Sequence, residues 1–197
     1  YDAPRWQYLT HWTRAPRGGW CGESPDQYID RLLSIEVPCV PTALDVLQRI
    51  VSERRIRASS RLIRGGMPVV SLTAVPLDAL RERRVYRRHL QRFDFEPYGI
   101  CMRRDVLTQQ GARPVIYGDE ACWERLTPDQ RPYFQTAQSK GAAVINWASE
   151  QEWRIVSDID LSAFGPDELI IFVRSRQEAE RIEWRGEWPV IALYDAD

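Results

Sequence analysis

Three short groups of polar residues lie in segments whose apolar alternation predicts β-strands. These groups are His11 with Thr13, Ser71 with Thr73, and Glu150 with Glu152. Within each group the two residues are two positions apart, so a strand directs both side chains to the same face. A histidine, hydroxyl groups and carboxylates supply a proton carrier, hydrogen-bond partners and a fixed negative charge. Such groups could bind and polarise a polar ligand such as a sugar or a nucleotide.

Each group also has a purely structural interpretation. A strand histidine is often satisfied by a backbone carbonyl, and two hydroxyls inside an apolar strand can bond each other. Glu152 can form an ion pair with Arg154 on the same strand face, which at a surface contributes about 0–1 kcal/mol. His89, the other histidine, lies among arginines and is interpreted as a surface base. The residues alone leave both interpretations open.

The elements that must position these groups are strands and short helices spread along the whole chain. Strands are predicted over residues 6–13, 68–73 and Glu152–Val156, with others near 98–102, 114–117, Leu169–Val173 and 189–193. Capping sequences predict helix starts at Ser24 and Thr42. Helices mostly in the first two thirds, with strands throughout, predict a single α+β domain over residues 1–197 with a mixed sheet. No dinucleotide-binding glycine motif and no Walker A sequence is present, which argues against Rossmann and P-loop nucleotide binding.

The charge is unevenly distributed, although the net value is only −1. Residues 49–92 contain twelve arginines and three acids, a local charge of +9. A lopsided field of this kind favours a polyanionic ligand, nucleic acid or nucleotide, over an uncharged one. The pattern predicts a third helix over 76–92 with a basic outer face, and the alternative is a solvated helix face without a ligand. The predicted nucleic-acid-binding residues are Arg81, Arg83, Arg84, Arg87, Arg88 and Arg92.

Membrane and metal chemistry are not expected. No apolar run approaches the roughly 18 residues that span a bilayer, and no signal pattern opens the chain, so a cytoplasmic location without a membrane partner is predicted. The four cysteines are widely spaced and form no C-x-x-C motif, which predicts reduced thiols and no metal site.

The order His-x-Thr, Ser-x-Thr and Glu-x-Glu on an early, a middle and a late strand resembles the ADP-ribosyltransferase superfamily. That resemblance implies a split sheet that holds NAD, as a substrate, in a cleft. It implies catalytic roles for His11, Ser71 and Glu152, with His11 bonding the nicotinamide ribose and Glu152 its 2′-hydroxyl. It also implies NAD contacts from Thr13, Thr73 and Tyr98, with Tyr117 a second candidate to stack on nicotinamide. A fixed carboxylate would stabilise the positive charge that develops on the ribose, without a metal.

Two longer stretches resemble the bacterial abortive-infection protein AbiGi and related phage-defence proteins. They are MPVVSLTAVPLDAL and EPYGICMRRDVLTQQGARPVIYGD within residues 67–119, and the later SEQEWR fits the same pattern. This resemblance implies a bacterial cytosolic setting, with other defence-system proteins as partners. It implies no particular reaction.

Three functions therefore stay open. The first is an ADP-ribosyltransferase-like enzyme that handles nucleotides or modifies nucleic acid. The second modifies nucleic-acid bases without NAD, with Glu152 as general acid and base. The third is a non-catalytic antitoxin or a module that binds DNA or protein. A catalytic cleft requires His11, Ser71 and Glu152 within about 10 Å of one another around open space.

Overall fold

Among the residues that the structure describes, fifteen short strands and six α-helices follow one another. The computed structural model describes residues 7–16, 20, 23–34, 41–61, 63–82, 84–88, 92–137, 139–140, 143–144, 151–181 and 188–194. The strands are β1 (Tyr8–Trp12), β2 (Arg55–Ile56), β3 (Val69–Thr73), β4 (Tyr86–Arg87), β5 (Arg92–Phe93), β6 (Gly99–Arg103), β7 (Arg113–Pro114), β8 (Ile116–Gly118), β9 (Phe134–Thr136), β10 (Ser139–Lys140), β11 (Ala143–Val144), β12 (Glu152–Val156), β13 (Ile159–Asp160), β14 (Leu169–Val173) and β15 (Val190–Ala192). The helices are α1 (Pro25–Ser34), α2 (Ala43–Glu53), α3 (Leu77–Glu82), α4 (Arg104–Gln109), α5 (Glu120–Arg125) and α6 (Arg176–Arg181).

A seven-stranded sheet in the order β15-β14-β6-β1-β3-β12-β7 forms the centre of the fold. Its strands pair antiparallel, except β14 and β15, which pair parallel. The prediction of an α+β fold with a mixed sheet is confirmed. Apolar side chains fill both faces, because successive residues alternate between them. On β6, Ile100 and Met102 join the larger core under α2, whereas Cys101 joins a smaller core under α3.

The joint between β1 and β3 has the shortest ladder in the sheet. The ladder there is a single register pair, Thr10 opposite Thr73, whereas β1–β6 and β3–β12 each have five pairs. The resemblance to ADP-ribosyltransferases implied a sheet split in two. The structure has one continuous sheet instead, with a short ladder between β1 and β3. β6 approaches β1 closely at this end, since a Cβ at Gly99 would lie 2.3 Å from the His11 carbonyl oxygen. Only glycine therefore fits at position 99, where β6 passes His11 and Trp12 of β1.

The predicted starts of the first two helices are confirmed. Ser24 and Gln27 bond each other's backbone N–H groups at the start of α1, and Thr42 and Asp45 form the same box at α2. Helix α2 ends at Glu53, and the next residue, Arg54, has a left-handed φ of 49° that turns the chain into β2. This turn places the next arginines beside the sheet joint.

The prediction of a helix over 76–92 is wrong. Helix α3 ends at Glu82, and the chain then forms the β4–β5 hairpin. Val85 and Asp94 pair through their backbones and through the Asp94 carboxylate, and Tyr86 contacts Phe93 edge-on at 5.2 Å. Cross-strand aromatic contacts of this kind stabilise a hairpin. They outweigh the good helix propensity of the arginines.

Two further sequence predictions concern membranes and cysteines. No helix among the described residues is long and apolar enough to cross a membrane. Cys101 and Cys122 are free thiols, and burial raises the pKa of Cys101 to about 12. Cys21 and Cys39 lie outside the described residues.

Candidate functional site

A cavity of about 670 Å³ opens at the joint between β1 and β3. Its walls are the end of β1 with the residues that follow, helix α2, strand β2 with the segment to residue 61, and β3 with the start of β12. This volume lies in the range of small-molecule sites. Five of the predicted site residues line it together: His11, Thr13, Ser71, Thr73 and Glu152. Their roles toward a ligand stay predictions.

The Glu152 carboxylate is held in one orientation at this cavity. Its Oε1 accepts hydrogen bonds from Ser71 Oγ at 3.1 Å and from Arg154 Nε at 3.0 Å. The Tyr117 hydroxyl lies 3.5 Å from Oε2. The β3–β12 register produces this arrangement, because Ser71 lies opposite Arg154 and Thr73 opposite Glu152. The side chain of Glu152 keeps 19% of its surface exposed, so a fixed negative charge stays accessible.

Arg154 is the buried anchor of that carboxylate. Only 2% of its surface is exposed, and it donates to the carbonyls of Phe134 at 2.7 Å and Pro132 at 3.3 Å. It also donates to the side-chain oxygen of Gln135 at 2.6 Å. The ion pair of Arg154 with Glu152 is therefore buried on its arginine side, unlike the surface pair that the structural interpretation of the sequence assumed. Glu150, the other acid of this group, lies outside the described residues.

His11 bridges the joint where the β1–β3 ladder stops. Its Nδ1 lies 3.0 Å from the Ser71 carbonyl oxygen. A carbonyl only accepts, so Nδ1 carries the hydrogen and Nε2 of the neutral ring is left as an acceptor. Removal from water lowers the pKa of His11, the bond to the Ser71 carbonyl opposes that effect, and the nearby Arg14 charge lowers it further. His11 is thus neutral near pH 7 and able to accept a proton.

Thr13 and Thr73 line the cavity, but their hydroxyls also hold the backbone. The buried Thr13 hydroxyl donates to the Ala43 carbonyl at 2.7 Å, which ties β1 to the start of α2. The Thr73 hydroxyl accepts from the Val75 N–H at 3.1 Å, where β3 ends. Both residues therefore support the cavity wall whether or not they contact a ligand.

Tyr98 is not brought to this cavity. It is absent from the cavity lining, and its hydroxyl donates to Glu178 on α6 at 2.9 Å. Burial, together with that bond, raises the pKa of Tyr98 to about 12. The geometry gives Tyr98 a contact between sheet and helix in place of the NAD contact expected from the resemblance.

The sequence reasoning missed the arginines that line the cavity: Arg14, Arg49, Arg55, Arg57 and Arg61. Glu53 accepts from Arg49 Nε at 2.7 Å and from Arg57 Nε at 3.0 Å, and these bonds lower its pKa. The signal that could have found two of them is the alternation of Arg55 and Arg57 just after α2, which is typical of one face of an extended segment. Arg14 and Arg49 have no such local signal.

Of the six arginines predicted to bind nucleic acid, the three whose side chains are described do not line the cavity: Arg81, Arg84 and Arg88. Arg81 lies 5.0 Å from the Tyr194 ring centroid, and Arg84 lies 3.6 Å from that of Phe93. Arg88 is exposed. The backbones of Arg87 and Arg92 pair in the β4–β5 ladder. Arg83 lies outside the described residues, as do the side chains of Arg87 and Arg92.

Comparison of the chain with protein-family models, with curated proteins and with solved structures finds no match. Within the described part of the chain, no group of three or more His, Cys, Asp or Glu residues could hold a metal ion. The site consists of a fixed carboxylate, a neutral histidine and a basic wall around one cavity.

Proposed function

We propose that this chain is a nucleotide-handling enzyme of the ADP-ribosyltransferase type, which uses NAD as a substrate and modifies nucleic acid. One observation carries the proposal: Ser71 and Arg154 fix the Glu152 carboxylate at a cavity that His11 also lines. Such a group fits a reaction in which positive charge develops on a bound ribose.

The proposed chemistry breaks the bond between the nicotinamide nitrogen and ribose C1′. The bonding electrons leave with nicotinamide, whose ring nitrogen becomes neutral, and the ribose gains positive charge. Glu152 stabilises that charge, while a nucleophilic atom of the acceptor bonds C1′ and loses its proton. Neutral His11 offers an acceptor for a hydroxyl or for that proton, because its Nδ1 is engaged by Ser71.

Calorimetric titration with NAD, combined with an assay of nicotinamide release, tests this function. We expect saturable binding and slow release of nicotinamide that accelerates when single- or double-stranded DNA or RNA is added, with ADP-ribose gained by the nucleic acid in mass spectra. Folded protein that neither binds NAD nor releases nicotinamide would contradict the proposal. Base modification without NAD would favour a general acid and base role of Glu152, and unmodified but bound nucleic acid would favour a binding module.

We also propose a setting in bacterial phage defence, which rests on the resemblance to abortive-infection proteins. Expression of the wild-type chain in bacteria should lower phage plating efficiency. The Glu152→Gln variant should restore it, and equal plating with both chains would contradict a catalytic role in defence.

A further inference from the structure

A row of polar side chains follows helix α2 along one wall of the cavity. Arg55, Arg57, Ser59 and Arg61 line the cavity together with the buried Ile56, whereas Ala58 and Ser60 do not. The segment is extended from β2 to Ser59, which bridges to Val69, and it turns at Arg61, where the Ile63 N–H bonds the Ser60 carbonyl. Two residues of extended chain span about 6–7 Å, so Arg55 and Arg57 place two positive groups along the wall, and Arg61 adds a third beyond Ser59. Several positive groups along one wall fit a linear polyanion better than a single phosphate.

The charge of this wall is only partly offset by acids. Five arginines line the cavity against Glu53 and Glu152. Glu53 bonds Arg49 and Arg57 through their Nε atoms, which holds the two guanidinium groups in place. Arg55 is 3.9 Å from Asp158 at an exposed position, a contact of little strength. Planar guanidinium groups bond two phosphate oxygens at once, which suits them to this ligand.

An aromatic ring accompanies the arginines. Trp20 lines the same cavity, with Arg49 5.0 Å from its ring centroid. Trp12 also borders the cavity, but its ring packs against the smaller core, with its centroid 6.0 Å from that of Phe95. A basic groove with aromatic side chains is the usual design of sites for single-stranded nucleic acid, where bases stack on the rings. A lone phosphate site needs no such ring.

We infer that the cavity binds single-stranded nucleic acid, with the phosphates along Arg55, Arg57 and Arg61 and an unpaired base directed toward Glu152. A cavity of about 670 Å³ holds a small ligand, so a base must leave a duplex to enter it. The inference names the acceptor of the proposed function and rests on that function for its chemistry. The binding itself is measured separately.

Fluorescence anisotropy with 12-nucleotide single-stranded DNA and RNA, and with the matching DNA duplex, tests this inference. The Arg57→Gln/Arg61→Gln double variant is compared with Arg81→Gln/Arg88→Gln, which removes the same charge outside the cavity. We expect wild type to bind single strands more tightly than the duplex. The inner double variant should lose about tenfold or more in affinity and about 1.4 in the slope of log affinity against log salt, at about 0.7 per phosphate. The outer variant should stay within about twofold.

Three results would overturn the inference: no binding of single strands at roughly 50 mM salt, duplex binding as tight as single-strand binding, or an equal or larger loss in the outer variant. The last result would favour the sequence-based prediction of a basic surface at residues 81–92. Measuring NAD consumption by the wild-type chain alongside the titration separates this inference from the proposed function. Wild-type binding of single strands without any consumption of NAD refutes only the function, and NAD consumption without strand binding refutes only the inference.

Discussion

The two halves of the arginine-rich segment differ in what surrounds them. In the first half, residues 49–61, four arginines line the cavity, and Glu53 holds two of them, Arg49 and Arg57. In the second half, residues 81–92, Arg81 and Arg84 lie over aromatic rings beside a small hairpin. The local charge is similar, but among the arginine side chains that the structure describes in these two halves, only those of the first half share a cavity with Glu152. Position relative to the β1–β3 joint, and not charge density, distinguishes a candidate site from a basic surface.

The largest expected effect separates the buried arginine that holds Glu152 at the cavity from a hairpin arginine. Arg154→Met removes the donor to the carbonyls of Phe134 and Pro132 and leaves the Glu152 charge without its buried partner. We expect the free energy of unfolding to fall by about 3–5 kcal/mol, the usual effect of breaking a buried pair. Urea unfolding of the wild-type chain and of Arg154→Met measures this change.

Arg84→Met is the matched control for that change. Arg84 lies over Phe93 and 3.9 Å from Glu96, contacts that together contribute about 1 kcal/mol. Equal losses of stability in the two variants would show that Arg154 contributes no more to folding than the hairpin arginine, and would remove the structural contrast between the regions.

A smaller effect concerns the pH dependence of stability at the cavity. The pKa of folded His11 lies below 6.5, its ordinary value, so the unfolded chain binds a proton first as the pH falls. The free energy of unfolding should therefore decrease from pH 7 downward until the folded pKa is passed. Urea unfolding between pH 7.5 and 5 in a His89→Gln background, with and without His11→Gln, isolates this contribution. A pH profile that His11→Gln leaves unchanged would show that His11 is solvated like a surface histidine.

Local patterns in the sequence predicted the strands that carry the site and the two helix starts. Period-two alternation placed Ser71 and Thr73 on one face of β3, and the capping residues at Ser24 and Thr42 act within three positions. These signals depend on neighbours along the chain, so no knowledge of the fold is needed to use them. The hydrogen bond of His11 to Ser71 joins residues 60 positions apart, and no local pattern predicts it. Only the order of the three motifs along the chain indicated that they share one site.

Contacts between distant residues explain what could not be predicted. Arginines favour a helix, but the contact of Tyr86 with Phe93 forms a hairpin in the second half of the segment. The left-handed turn at Arg54 decides which arginines meet the cavity, and a non-glycine residue gives little sign of such a turn. The bond of Tyr98 to Glu178 spans 80 residues and has no local signature.

The central claim is that Glu152 is a catalytic carboxylate, and the Glu152→Gln variant tests it most directly. Glu96→Gln is the control, because Glu96 also pairs with an arginine and is similarly exposed, at 25% against 19%. Melting temperature and NAD turnover are measured on the same samples, since Arg154 is buried and the Glu152 variant is expected to lose stability. Turnover per folded molecule should fall about 100-fold or more for Glu152→Gln and less than about twofold for Glu96→Gln. Unchanged turnover per folded molecule in Glu152→Gln would show that this carboxylate serves only to hold Arg154.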